Sequence, residues 1–322
     1  MRILNYGAGA LGLGLDSFLI KSGAKVSLIA RPETVSALKH DGLLRTGIFG
    51  EFRASADRFA CASSLMDVSS APFDFILVSA KSFDSQAAAT DLQRHNKLWN
   101  QETKIVLCQN GWGNAEIFCQ YFPKEEIYNA RVITGFERPQ PNHVNITVHA
   151  DAVHLGRLFS KDSSALTPLS QALTSGGMPT QIVSDIAKDL WAKMLYNCAL
   201  NALGAIFDMP YGKLGESYFS RKIMQKIFME IYEVMSAAGY QTHWPNTAEY
   251  EKAFYSKFLP PTAGHRSSTL QDMQAGKRTE IDALNGMIVH MAERLKVSAE
   301  VNRTVYTMVK FLEESNRRAP VV

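Results

Sequence analysis

Three polar residues interrupt an otherwise apolar helix. In LWAKMLYNCALNALGAIF, residues 190–207, tryptophan, leucine, methionine, isoleucine and phenylalanine cover nearly every side, and Lys193, Asn197 and Asn201 stand among them four apart. At about 100° per residue the three span roughly 80° of the helix circumference, so they form one stripe. A solvated face carries charge of both signs. This stripe is bordered instead by Met194, Cys198, Ala202 and Ala205. An ammonium and two carboxamides on such a surface describe a functional polar cleft. A buried lysine either loses its proton or finds a carboxylate. Glu280, Asp272 and Asp282, all within SSTLQDMQAGKRTEIDALNG at 267–286, are the candidates, and spacing alone does not choose among them. Thr279 can cap a helix that starts at Glu280, with Asp282 in the manner of a capping box. Glu280 would then be a first-turn carboxylate favoured by the helix dipole.

A second constellation suits phosphate. The opening segment RILNY leads directly into GAGALG, Gly7-Ala8-Gly9-Ala10-Leu11-Gly12, and then into a helical pattern. Strand, glycine turn and helix start are the context that a GxGxxG motif needs to bind a dinucleotide. Gly7 permits the tight turn, Gly9 lets backbone approach a pyrophosphate, and Gly12 lets helix and strand pack closely. The helix amino terminus adds unpaired N–H groups and partial positive charge. An NAD enzyme places an acidic residue about 20 residues further on, at the end of the second strand. Here the second strand, in SLIARPE, ends at Arg31, whose guanidinium would attract a 2′-phosphate. Glu33 falls in the next helix start. Lys81, after FILVSA, stands at the same edge, and the two cations together favour NADP(H) over NAD(H).

The elements that must position these groups fall into two halves. Short β-rich runs (2–6, 25–30, 73–80, 104–109) alternate with helical ones, which implies a parallel sheet covered on both faces. HVNITVHADAVHLG alternates like antiparallel strands, and His149 and His154, five apart within it, should face opposite ways. A helix over about 163–175 and the strand PTQIVS close this half. Beyond about residue 184 only helical patterns appear, near 185–206, 217–238, 246–257, 266–275, 280–295 and onward to about 316. The expected fold is an α/β Rossmann-type N-terminal domain with a parallel sheet, residues 1–183, joined to an all-α C-terminal domain, residues 184–322. The boundary is expected near 180–185, after the break at Gly176-Gly177.

Bulk properties set limits. The chain of 322 residues is 46% hydrophobic and 20% charged, which describes a globular protein. Thirty-four basic against thirty-one acidic residues leave +3, too little to argue for nucleic acid or a membrane surface. Cys61, Cys108, Cys119 and Cys198 show no metal-binding spacing, and the histidines form no ligand cluster, so no metal is expected. No apolar run reaches membrane-spanning length and no cleavage region follows the amino terminus, so a cytoplasmic location is expected. The Asn-x-Thr triplets at Asn145 and Asn302 are then chance. The apolar helical half could present a homodimer surface.

Gly7–Gly12, Arg31, Lys81, QNGWG at 109–113, LWAKMLYNCALNAL at 190–203 and the 267–286 segment together resemble ketopantoate reductase (2-dehydropantoate 2-reductase), in order and nearly end to end. The resemblance implies NADPH-dependent reduction of a 2-oxo acid, 2-dehydropantoate to (R)-pantoate, on the way to pantothenate and coenzyme A. It implies that cofactor and substrate meet in a cleft between the domains. Lys193 would be the general acid and carbonyl-binding group, and Glu280 its ionic partner, also touching the cofactor. Asn110 would lie beside the nicotinamide and contact both cofactor and substrate. Asn197 and Asn201 would bind substrate oxygens, and Ser268 would hold the carboxylate. The chain departs from the family in three places. Tyr211-Gly212 and His265 replace asparagines that contact substrate, and ERPQPNHVNITVHA lacks the usual glycines. His265 could donate to a carboxylate equally well. Two alternatives stand beside the main reading: a reductase of another small 2-oxo acid, and an NADP-sensing protein without catalysis.

Overall fold

The computed structural model describes residues 1–69 and 71–318, so residues 319–322 of the expected second domain lie outside the described residues. The chain forms two compact units, Met1–Gln109 with Asn114–Ile186, and Asn110–Gly113 with the chain from Ala187.

The strands of the first unit are β1 (Arg2–Tyr6), β2 (Lys25–Ile29), β3 (Leu43–Gly47), β4 (Phe52–Ala54), β5 (Ala60–Ala62), β6 (Phe75–Val78), β7 (Lys104–Leu107), β8 (Ile127–Arg131), β9 (Thr134–Gln140), β10 (His143–His149), β11 (Val153–Gly156) and β12 (Thr180–Ile182). Its helices are α1 (Ala10–Lys21), α2 (Pro32–Asp41), α3 (Ser85–Arg94), α4 (Asn114–Phe118) and α5 (Thr167–Gly176). The main sheet runs β12-β11-β8-β7-β6-β1-β2-β5. Every pairing in it is parallel except β8 with β11. Successive side chains of its strands point to opposite faces, and both faces are buried. Ile3, Leu28, Phe75, Leu77 and Val106 join one apolar cluster with Leu15 and Phe18 of α1 and Leu169 of α5. Their neighbours Leu4, Ile29, Ile76, Val78, Ile105 and Leu107 join a second cluster with Ala88 and Leu92 of α3 and Phe118 of α4. That two-sided burial is why these strands read as continuous apolar runs. From β5 through β8 the order is that of a doubly wound sheet, with its switch point between β1 and β6.

The main sheet is the expected parallel one, and the antiparallel-type sequence near 140–150 belongs to a second sheet, β4-β3-β10-β9, in which β10 pairs antiparallel with β9. Its strands β3 and β4, LLRTG and FRA, are short and partly polar, so periodicity does not reveal them. HVNITVH is β10 of this sheet, whereas VHLG is β11 of the main one. His149 and His154 therefore belong to different sheets and do not alternate along one strand. The second strand also ends earlier than expected, at Ile29, because Pro32 starts α2 and makes Arg31 its N-cap.

The second unit is helical throughout its described residues: α6 (Ile186–Phe207), α7 (Tyr211–Glu216), α8 (Tyr218–Ala237), α9 (Thr247–Ala253) running into a π-turn over Phe254–Phe258, α10 (Ser268–Gln274), α11 (Asn285–Leu295) and α12 (Glu300–Arg318). Helix α6 is apolar nearly all round, with Trp191, Leu195, Cys198, Ala199 and Leu200 fully buried. Asn285, buried at the start of α11, donates to the Cys198 carbonyl (3.1 Å) and to Asn302 (3.0 Å), tying α11 to α6 and α12. The helix expected from 280 begins only at Asn285. Leu284, at φ −102° and ψ −111°, interrupts it after a single 3₁₀ turn over Ile281–Ala283. The Thr279 hydroxyl accepts from the Ile281 N–H (3.3 Å), and Asp282 does not close a capping box.

Candidate functional site

Each unit carries one set of the residues singled out above. In the first, the glycine turn leaves the carboxyl end of β1. Gly7 holds φ at +119°, and a Cβ there would collide with the backbone of Ala80. A Cβ on Gly12 would strike the Gly7 carbonyl, so only hydrogen fits where α1 turns against β1. Gly9 differs: no atom lies within 4 Å of a Cβ built on it, which leaves the backbone open to approach. Gly9 is the N-cap of α1; no side chain caps this end, and the first turn (Ala10, Leu11, Gly12) has no acidic residue. Its N–H groups suit an anion. Both Gly7 and Ala8 donate to the Ile29 carbonyl (3.1 Å each), fastening the turn to the end of β2.

Arg31 follows β2 and Lys81 follows β6, the strands on either side of β1. Arg31 is exposed at the start of α2. Lys81 is partly buried, and its carbonyl accepts from Gln109 Nε2 (3.3 Å) at the end of β7. These residues fit a 2′-phosphorylated dinucleotide: open backbone at Gly9, an uncapped helix end, and a cation on each flank of the turn. Beneath them Asn5 donates to the Gly12 carbonyl (3.3 Å) and to Asp16 (2.9 Å). Asp16 is fully buried with no ion pair among the described residues, and burial pushes its carboxyl up to about 8 despite the Asn5 hydrogen bond.

The second unit holds the polar stripe. Lys193 is half-buried; Asn197 and Asn201, one and two turns on, are 8% and 4% exposed. Among the described residues the Asn197 carboxamide and the Asn201 NH₂ have no hydrogen-bond partner. Their polar ends are not enclosed, so an ammonium and two amides aligned on an otherwise apolar helix present donors and an acceptor to a ligand. Asn201 is half-satisfied: the Tyr211 hydroxyl, itself buried, donates to its Oδ1 (2.6 Å). Burial holds the Tyr211 phenol well above its usual range, so it stays a donor. The carboxamide is thereby oriented with its NH₂ outward.

Ser267 and His265 join the same neighbourhood. The Ser267 hydroxyl donates to the Asn201 carbonyl (3.1 Å) and caps α10, which begins at Ser268. His265 receives the Tyr211 N–H on its carbonyl (3.0 Å), and its ring lies edge-on to the Tyr211 ring at 5.2 Å. The structure thus gathers Asn201, Ser267, His265 and Tyr211 around one end of the stripe, and Ser268 follows Ser267 as the first residue of α10.

The carboxylates separate clearly. Glu280 is 6% exposed, and its Oε2 accepts from Asn110 Nδ2 (3.2 Å). The segment Asn110–Gly113 is fixed to the second unit by its own chemistry. Gly111, at φ +86°, presses its backbone onto Ala283, Trp112 donates to the Ala283 carbonyl (3.0 Å), and the Trp112 ring stacks on Trp191 of α6 at 4.5 Å. Asp282 points to a different set of partners, Arg278 (2.9 Å), Tyr306 (2.9 Å) and Lys310 (3.3 Å). Burial raises its carboxyl, but those bonds outweigh it and hold the group below the usual carboxylate range.

One stripe residue went unnoticed in the sequence. Asp189 stands one turn before Lys193, is 6% exposed, and meets His243 Nε2 at 3.0 Å. The same spacing of four would have found it had the stripe been followed past Leu190.

Comparison with known proteins agrees in every half of the chain. The family model described as "Ketopantoate reductase PanE/ApbA" matches residues 3–158, and "Ketopantoate reductase PanE/ApbA C terminal" matches residues 185–313. A 2-dehydropantoate 2-reductase of Aquifex aeolicus is 35% identical over 319 residues, 98% of each chain. The crystal structure of a PanE/ApbA family ketopantoate reductase from Ralstonia eutropha superposes with a TM-score of 0.85 at 28% identity, covering 99% of this chain and 100% of that one. A ternary structure of D-mandelate dehydrogenase with NADH and anilino(oxo)acetate gives 0.87 at 25% identity, covering 98% and 99%.

Proposed function

This chain belongs to the ketopantoate reductase family, and on that footing we propose that it reduces 2-dehydropantoate to (R)-pantoate with NADPH, a step toward pantothenate and coenzyme A. The observation that carries the reading is the pair of amides, Asn197 and Asn201, set at one and two turns from Lys193, with the Asn197 carboxamide and the Asn201 NH₂ left for a ligand among the described residues.

Bound NADPH would supply a hydride to the carbonyl carbon of the 2-oxo acid. The residues of the second unit meet the consequences. As the carbonyl oxygen gains negative charge, the Lys193 ammonium stabilises that charge and donates the proton. Glu280 favours the charged lysine, and Asn110 holds the Glu280 carboxylate in place through their bond (3.2 Å). Asn197 and Asn201 bind the substrate oxygens, Ser268 takes the carboxylate, and His265 is placed to assist it. None of these amides and hydroxyls adds a titrating charge. In the first unit Gly7–Gly12, Arg31 and Lys81 hold the pyrophosphate and 2′-phosphate.

A second reading, a different 2-oxo acid, is favoured by one observation: the Tyr211–Asn201 bond and the facing His265 ring place aromatic groups at the end of the stripe. NADPH oxidation followed by absorbance with 2-dehydropantoate, pyruvate and branched or aryl 2-oxo acids separates the two. The expected result is the highest kcat/KM on 2-dehydropantoate. A clear preference for an aryl or branched acid would transfer the reading, and tight NADPH binding with no oxidation on any acid would make the protein a sensor.

The reading places the enzyme in the cytoplasm, which four free cysteines support. No helix among the described residues is long and apolar enough to cross a membrane. A homodimer through the helical unit belongs to the same reading. Exposed Phe219, Met308 and Phe311 support it, and sedimentation velocity measures it.

A further inference from the structure

Strand β9 carries a cation to the glycine turn that neither the motif nor the sheet edge announces. Residues two apart on a strand share a face. Phe136 packs so closely on α1 that a Cβ at Gly14 would collide with its ring. Arg138, two residues further along, therefore reaches the start of the same helix. Its Nη1 donates to the Ala8 carbonyl (3.2 Å) inside the glycine turn and to the Thr34 hydroxyl (3.4 Å) in the first turn of α2.

This anchoring divides the guanidinium. Nη1 carries two N–H groups, and both are directed at protein oxygens. Nε and Nη2, with three N–H groups, have no protein partner among the described residues. The Nε–Nη2 edge is a fork that matches two oxygens of one phosphate. Its surroundings are net positive. Partial burial lowers the Arg138 guanidinium, Arg31 lowers it further, and Glu33 opposes them with a smaller effect. Among the described residues Glu33 makes no ion pair with either arginine. Two guanidiniums held near one another without a carboxylate bridging them make a place for an anion with two charges.

Accepting the NADPH reading above, on which this rests, we infer that Arg138 is a specificity-determining residue that grips the 2′-phosphate together with Arg31. The anchor at Thr34 directs the fork to the start of α2, after β2, where the adenosine ribose of a dinucleotide lies. The anchor at Ala8 ties that fork to the turn that receives the pyrophosphate, so both phosphate sites are set by one side chain.

Dissociation constants of NADPH and NADH, read by tryptophan fluorescence on the full chain, test this. Arg138→Ala and Arg138→Gln are compared with wild type, and melting temperatures are recorded alongside. Glutamine keeps the polar stem but ends where Nε stands, so it removes the charged fork and the Nη1 bonds together, and the melting temperatures read whether loss of those bonds disturbs the turn. Both variants should bind NADPH about tenfold more weakly and NADH within about twofold of wild type. Equal weakening of both dinucleotides would assign Arg138 to the pyrophosphate or to the turn's architecture and overturn the inference. Unchanged NADPH affinity in the glutamine variant would overturn it as well. A wild type that binds neither dinucleotide would remove the cofactor reading itself, a failure distinct from either.

Discussion

The glycine turn of the first unit and the α6 stripe of the second solve opposite problems. The turn works by leaving side chains out: Gly7 and Gly12 are glycine because a Cβ would strike backbone, and Gly9 leaves open space. Its ligand-facing groups are N–H donors that every sequence has. The stripe works by putting polar side chains where an apolar helix would bury them, and the Asn197 carboxamide and the Asn201 NH₂ remain without partners there among the described residues. The first kind of site is inseparable from folding, because the geometry that binds is the geometry that closes the sheet. The second is an addition to a helix that would pack without it. Damage to the turn should therefore cost structure and binding together, whereas damage to the stripe should cost rate or affinity alone.

Gly7→Ala tests the first half of that contrast and should have the largest effect. A positive φ and a backbone collision together should destabilise the unit by roughly 2–5 kcal/mol. The melting temperature should fall and NADPH binding should fail with it. A stable Gly7→Ala protein with normal NADPH affinity would break the contrast.

Tyr211→Phe sharpens the second half. It removes the hydroxyl that orients Asn201, an interaction worth about 1 kcal/mol. KM for the 2-oxo acid should rise about fivefold with kcat little changed and NADPH affinity untouched. A fall in kcat at constant KM would place Tyr211 in the chemistry instead.

A pH-dependent effect concerns Asp16, under the turn. Its folded-state carboxyl titrates near 8, above the ordinary 3.8 of the unfolded chain. The folded state thus holds a proton that the unfolded state has lost, so stability is full below about pH 4 and declines as pH rises toward 8. Asp16→Asn should flatten that decline in melting temperature between pH 5 and 8. An equally steep decline would mean that Asp16 is not its source.

The same contrast explains what the sequence made legible. GAGALG lies within one strand–turn–helix, so a separate reason for each of its three glycines is legible in the local sequence. The α6 stripe was legible because helical periodicity is local. That Asp282 is taken up by Tyr306 and Lys310 was not, since both come from α12, outside the local segment. Strands β3 and β4 escaped because three to five partly polar residues carry too little periodic signal. Arg138 escaped because its role depends on the pairing of β9 and its packing on Gly14.

The most direct test of the central claim is to measure kcat on 2-dehydropantoate and the NADPH dissociation constant on one preparation of Lys193→Ala. Turnover should be at least about a hundredfold lower, with NADPH affinity within about twofold of wild type. Unchanged turnover would remove Lys193 from the chemistry and contradict the account.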